Sequence, residues 1–83
     1  MNPLFERIVE AIRAEAEAGV LPGHLRDMAL TAETRLAELG IDSLGRMSLL
    51  TTLMDLTDRY FADGTFQDHH TLAEIAAIAA APR

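Results

Sequence analysis

The chain has 83 residues, thirteen acids against seven arginines with no lysine, a formal net charge of −6 at pH 7, and no cysteine. That length makes one small domain, residues 1–83, which buries about 60–65% of its unfolded surface and leaves little room for a large active-site cavity. The acidic balance argues against nucleic acid and anionic membranes and for a partner with a basic surface, and the lack of cysteine excludes disulfides, thiolate metal ligands and a cysteine nucleophile.

Asn2 before Pro3 reads as an N-cap followed by proline at the first helical position, where its missing N–H is harmless. Phe5, Ile8, Val9, Ile12 and Ala16 then recur at helical spacing and form a core-facing stripe. Glu6, Arg7, Glu10, Arg13, Glu15 and Glu17 are expected to face water, and Gly19 to close the helix. Residues 20–41 make a long connection. A loop of that length needs its own hydrophobic anchors, which Leu21, Leu25, Met28, Leu30, Leu36, Leu39 and Ile41 supply. Pro22-Gly23 marks a turn, and a short helical turn is expected near residues 33–38.

A second helix is expected over residues 43–60, with Asp42 as its N-cap and Ser43 in its first turn. Leu44, Met47, Leu50, Met54 and Phe61 lie on one arc and Leu49, Leu53, Leu56 and Tyr60 on the next, opposed by Ser48, Thr52, Asp55 and Arg59. This apolar sector is wider than one packing face of a small bundle requires. It suits a central helix with two neighbours, and equally a helix whose Leu44 and Met47 stay exposed to dock partners. Ala62-Asp63-Gly64 ends it, residues 65–70 suggest a short third helix, and Thr71-Leu-Ala-Glu74 is a capping box opening a last helix. Leu72, Ile75, Ala76 and Ala79 form that helix's stripe, which stops before Pro82.

The chemistry-bearing residues are few. Ser43 as a hydrolase nucleophile needs a histidine base and an oriented acid, yet Gly-x-Ser-x-Gly is absent and the three histidines lie far along the chain. Asp68-His69-His70 superficially matches a metal-phosphoesterase signature, but lacks further ligands and reads as a solvated turn, so no metal site is expected. What remains is Ser43 near the positive end of a helix dipole, where an attached phosphate gains about 0.3–1 kcal/mol over a mid-helix position.

Leu36-x-x-Leu39-Gly40-Ile41-Asp42-Ser43-Leu44-x-x-Met47 resembles the phosphopantetheine attachment motif of acyl carrier proteins and peptidyl carrier domains. The helices around it fall in that family's order, so the resemblance spans essentially the whole chain. It implies an all-α, four-helix acyl-carrier-like bundle with a long first loop and a short third helix, and a protein that is no enzyme. It further implies that a phosphopantetheinyl transferase attaches 4'-phosphopantetheine from coenzyme A to Ser43 through a phosphodiester, and that the terminal thiol holds cargo as a thioester. Asp42, besides capping, would help position Mg2+ and coenzyme A in the transferase complex, with Leu44 and Met47 docking partners.

Carriers of fatty-acid synthesis usually have acids along the second helix from just after the serine. Here Gly45, Arg46, Ser48, Thr51 and Thr52 come first, and acids appear only at Asp55 and Asp58. The chain is thus more similar to specialised bacterial carriers, among them small aminoacyl carriers loaded by ligases that resemble the catalytic core of seryl-tRNA synthetases. The resemblance therefore implies an aminoacyl or specialised acyl cargo, delivered by an adenylate-forming ligase and collected by a downstream transferase. A fatty-acid-synthesis carrier is the alternative, and a helical interaction module without prosthetic group the remoter one. A discriminator is a cavity between the helices, which long acyl chains need and a small amino acid does not. With no signal-like N-terminus and no bilayer-length apolar run, a cytoplasmic monomer is expected.

Overall fold

In a computed structural model that describes residues 3–81, the first apolar stripe becomes α1 (Pro3–Glu17), burying Leu4, Phe5, Ile8, Ile12 and Ala16, with Val9 half-buried against the core. The expected Asn2 cap lies outside the described residues. α1 ends where Gly19 turns left-handed at φ +82, with Val20 N–H donating to Glu15 C=O at 2.8 Å and Gly19 N–H to Ala16 C=O at 3.2 Å. That pair of bonds satisfies helix-end carbonyls that would otherwise be unpaired.

Two residues of α1 expected to face water do not. Arg13 sends one guanidinium nitrogen to the carbonyls of Leu25, Arg26 and Met28 at 3.0–3.2 Å, pinning the loop that follows. Glu15 accepts from the hydroxyls of Ser48 and Thr52, so those residues form a polar seam between helices rather than a face opposed to the core. Helical periodicity marks an apolar stripe but does not reveal which polar neighbours find partners across an interface.

Residues 20–41 cross the bundle as a loop with two 3₁₀ turns, at Gly23–Arg26 and Leu36–Leu39. Leu21, Leu25, Leu36 and Leu39 are buried, while Met28, Leu30 and Ile41 pack on the core half-buried. Backbone bonds then tie this loop to the end of the chain. Leu36 N–H donates to His70 C=O at 2.9 Å and Leu72 N–H to Thr34 C=O at 2.8 Å, leaving one isolated bridge, Arg35–Thr71, and no strands among the described residues.

The second helix, α2 (Ser43–Thr57), stops earlier than residue 60 because Asp58 takes the left-handed conformation, φ +53, one of the few residue types that tolerates it. The turn drops Phe61 into the core, edge-on to Phe66 with ring centroids 5.2 Å apart, and leaves Tyr60 in solvent. It also aims Arg59 at Ala79 C=O, 2.7 Å away, and at Ala81 C=O, satisfying carbonyls at the far end of the last helix.

The short third helix expected over residues 65–70 is not formed. That segment is a chain of turns whose polar groups bond partly locally, as when Gln67 N–H donates to His70 Nδ1 at 3.0 Å, and partly to the second 3₁₀ turn, where Ala37 N–H donates to Asp68 C=O at 3.1 Å. The fold is therefore all-α with three α-helices among the described residues, and the last, α3 (Leu72–Ala80), begins with the expected capping box. Thr71 N–H donates to Glu74 Oε1 at 2.8 Å, and Glu74 N–H to Thr71 Oγ1 at 3.1 Å. The Thr71 backbone bond holds the Glu74 carboxyl below the ordinary glutamate range. Leu72, Ile75, Ala76 and Ala79 are all buried, and Pro82 lies outside the described residues.

Candidate functional site

Gly40, Asp42 and Gly45 together place Ser43. Gly40 has φ +67, a turn that glycine makes without strain, so the chain reverses out of the second 3₁₀ turn and enters α2. Asp42 stands in extended conformation as N-cap, its Oδ1 accepting from Gly45 N–H at 2.8 Å. Gly45 is buried for a steric reason. A Cβ there would stand 3.1 Å from both Ile41 Cβ and Leu21 Cδ2, so the absent side chain lets the first loop close onto α2.

Ser43 is consequently the first residue of α2 and is exposed, and its hydroxyl has no hydrogen-bond partner among the described residues. Leu44, 80% exposed, and Met47, 49% exposed, flank it, while Leu49 and Leu53 on the opposite side of the helix are core. The sequence left open whether the wide apolar sector was packing or display. Both occur, divided along the helix: the half-buried Leu50, Met54 and Leu56 pack against the core, and the first turn displays Leu44 and Met47.

Beside Ser43 lies a cavity of about 280 Å³, whose lining includes Ser43, Arg46, Leu50 and Leu53 of α2, Asp63 and Phe66 of the following segment, Leu36 of the second 3₁₀ turn and Ile75 of α3. Across from α2, Asp68 forms an ion pair with Arg46. Asp68 thus does more than sit in a solvated turn, and Arg46 more than break the acidic pattern of the helix. The pair is distant in the chain and has no spacing signal, so the fold alone joins it. His69 and His70 stack on each other with ring centroids 4.3 Å apart. Among the described residues no group of three or more His, Cys, Asp or Glu is arranged to hold a metal.

The arrangement suits acceptance of a group more than catalysis. An exposed primary hydroxyl at a helix start, with no base bonded to it, is not activated for attack by its own protein. It is accessible to a separate enzyme, and a phosphate placed there gains from the helix dipole. Among the described residues no helix is long and apolar enough to cross a membrane.

No curated protein and no solved structure matches this chain. A family model, described as a phosphopantetheine attachment site, matches residues 7–79, nearly the whole chain. Such domains carry 4'-phosphopantetheine covalently, meet phosphopantetheinyl transferases and other enzymes, and are carriers rather than catalysts. With its exposed serine, displayed apolar first turn and helical frame, the chain belongs to the phosphopantetheine attachment family of carrier proteins.

Proposed function

We propose that Ser43 is the attachment residue and that the arm it bears carries a specialised acyl cargo with an apolar tail of short to medium length. The observation that carries this reading is the exposed Ser43 hydroxyl at the rim of a largely apolar cavity of about 280 Å³. A thioester's tail withdrawn into such a space leaves water, at about 25 cal/mol per Å² of apolar surface. The arm's terminal thiol supplies the thioester linkage. The chain's own residues supply presentation: Asp42 caps α2 and helps orient the transferase complex, while Leu44 and Met47 offer apolar contacts for the transferase, the loading ligase and the downstream acceptor. The thinly acidic start of α2, with Gly45 and Arg46 in place of acids, argues for enzymes other than those of general fatty-acid synthesis.

A second reading, an aminoacyl cargo, is favoured by Asp63. Asp63 is an acidic residue among those that line the cavity, where an amino acid's free ammonium would find an opposite charge. Incubation with coenzyme A and a broad-specificity phosphopantetheinyl transferase should add one phosphopantetheine to the wild type and none to Ser43→Ala, as weighed by intact-protein mass spectrometry. No gain in the wild type, or an equal gain in the variant, refutes the assignment. Weighing the thioester isolated from native cells distinguishes acyl from aminoacyl cargo.

A further inference from the structure

Arg46 stands one turn after Ser43, at the i,i+3 spacing that places two side chains on the same face, roughly 5–6 Å apart at Cβ. Both residues border the cavity, and among the described residues it is Arg46, of the arginines, that does so. Three of the others are committed elsewhere: Arg13 to loop carbonyls, Arg26 to Glu17 and Gly23, and Arg59 to the end of α3. Arg46 itself is joined to Asp68, on the segment whose Asp63 and Phe66 also line the cavity. The pair is open to solvent, with side chains 37% and 66% exposed, and such a pair is weak.

A phosphodiester on Ser43 changes the balance of charge at this spot. It brings a negative charge beside Asp42, whose carboxylate already takes the Gly45 N–H, so the added anion has an acidic neighbour and needs a cation. Arginine's planar fork of donors matches phosphate oxygens, and the helix sets Arg46 on the same face as Ser43, so a side-chain turn brings the fork to the arm without moving the backbone.

We propose that Arg46 is a positioning residue for the phosphopantetheine arm: once Ser43 is modified, its guanidinium turns from Asp68 to the phosphodiester. The exchange has two effects. It fixes the first bond of an otherwise free arm over the cavity mouth, and it frees the Asp68 side chain from α2, while Ala37 N–H to Asp68 C=O and Leu36 N–H to His70 C=O still hold that segment to the second 3₁₀ turn. This inference rests on Ser43 being the attachment residue.

The test is phosphorus NMR on protein converted with coenzyme A and the transferase, weighed first, with the urea-unfolded converted protein as the reference for an uncontacted phosphodiester. In the folded wild type the phosphorus resonance should be displaced from that reference. Arg46→Gln should return it most of the way, Arg46→Lys should lie between, and Asp68→Asn, which removes the competing carboxylate, should displace it further. Rising sodium chloride should move the wild type toward Arg46→Gln. The nitrogen-15 signal of Arg46 Nε should shift on conversion. A phosphorus resonance that ignores Arg46→Gln, or an unchanged Arg46 Nε signal, overturns the inference while leaving the attachment intact. Absence of the mass gain overturns both. Should Arg46→Gln escape conversion, indifference of the resonance to both Asp68→Asn and salt overturns it instead.

Discussion

Glu15 offers the sharpest test of how the bundle is held. Its two carboxylate oxygens accept separately from Ser48 and Thr52, the latter at 2.9 Å, across the α1–α2 interface. Hydrogen bonds to a charged group contribute about 1.5–3 kcal/mol each when desolvated. All three residues are half-buried, and in Glu15→Ala both hydroxyls can turn to water, so the expected total is about 1–3 kcal/mol rather than twice the single value. Against roughly 4–12 kcal/mol for a chain of this length, that is a large share. Urea unfolding followed by circular dichroism should show it: with a slope of about 1 kcal/mol/M, at the low end for small proteins, the midpoint falls by about 1–3 M. The cycle of Glu15→Ala with the pair Ser48→Ala and Thr52→Val should return a coupling of at least ~1 kcal/mol, since residues in one network do not add. A Glu15→Ala midpoint within error of the wild type, or zero coupling, would mean Glu15 faces water as periodicity alone suggests.

Leu53→Ala empties the centre of the core, where Leu53 is 1% exposed, and should cost about 2–5 kcal/mol in the same unfolding assay. Gly40→Ala should lose about 1–2 kcal/mol through the left-handed backbone at φ +67, although the nearest atom to the new Cβ, on His24, is at an ordinary 3.7 Å. Thr71→Ala should cost about 0.5–2 kcal/mol and speed amide exchange in α3, because Glu74 N–H loses its acceptor. Glu74 itself should titrate below an ordinary glutamate in carbon-13 NMR. A carboxyl lowered in the folded state supports the cap at neutral pH and surrenders that support only as pH falls through its depressed pKa. Ser43→Ala should leave the urea midpoint within about 0.5 kcal/mol of wild type, as an exposed residue without partners does, so any loss of modification reflects chemistry and not unfolding.

Much of this protein was readable before folding, where the governing forces are local. The capping box Thr71–Glu74, the Asp42 cap, the glycine turns at Gly19 and Gly40 and the buried stripes of α1 and α3 all depend on residues within a turn or two of each other. The attachment motif is legible for the same reason, since turn, cap and serine are contiguous. Extent was harder. No glycine or proline directly precedes Asp58, yet Asp58 itself turns left-handed and ends α2 there, and the turn lets Phe61 into the core and Arg59 reach α3. Residues 65–70 offer Phe66 alone to the core and no apolar stripe at helical spacing, so they form turns and not the expected short helix.

What only the tertiary structure decided are the meetings of residues remote in sequence: Glu15 with Ser48 and Thr52, Arg46 with Asp68, and the space between Ser43 and Phe66. Local spacing encodes which way a side chain leaves its own helix. Which partner it meets is set by how helices and loops pack, and that depends on the shape of the whole core at once.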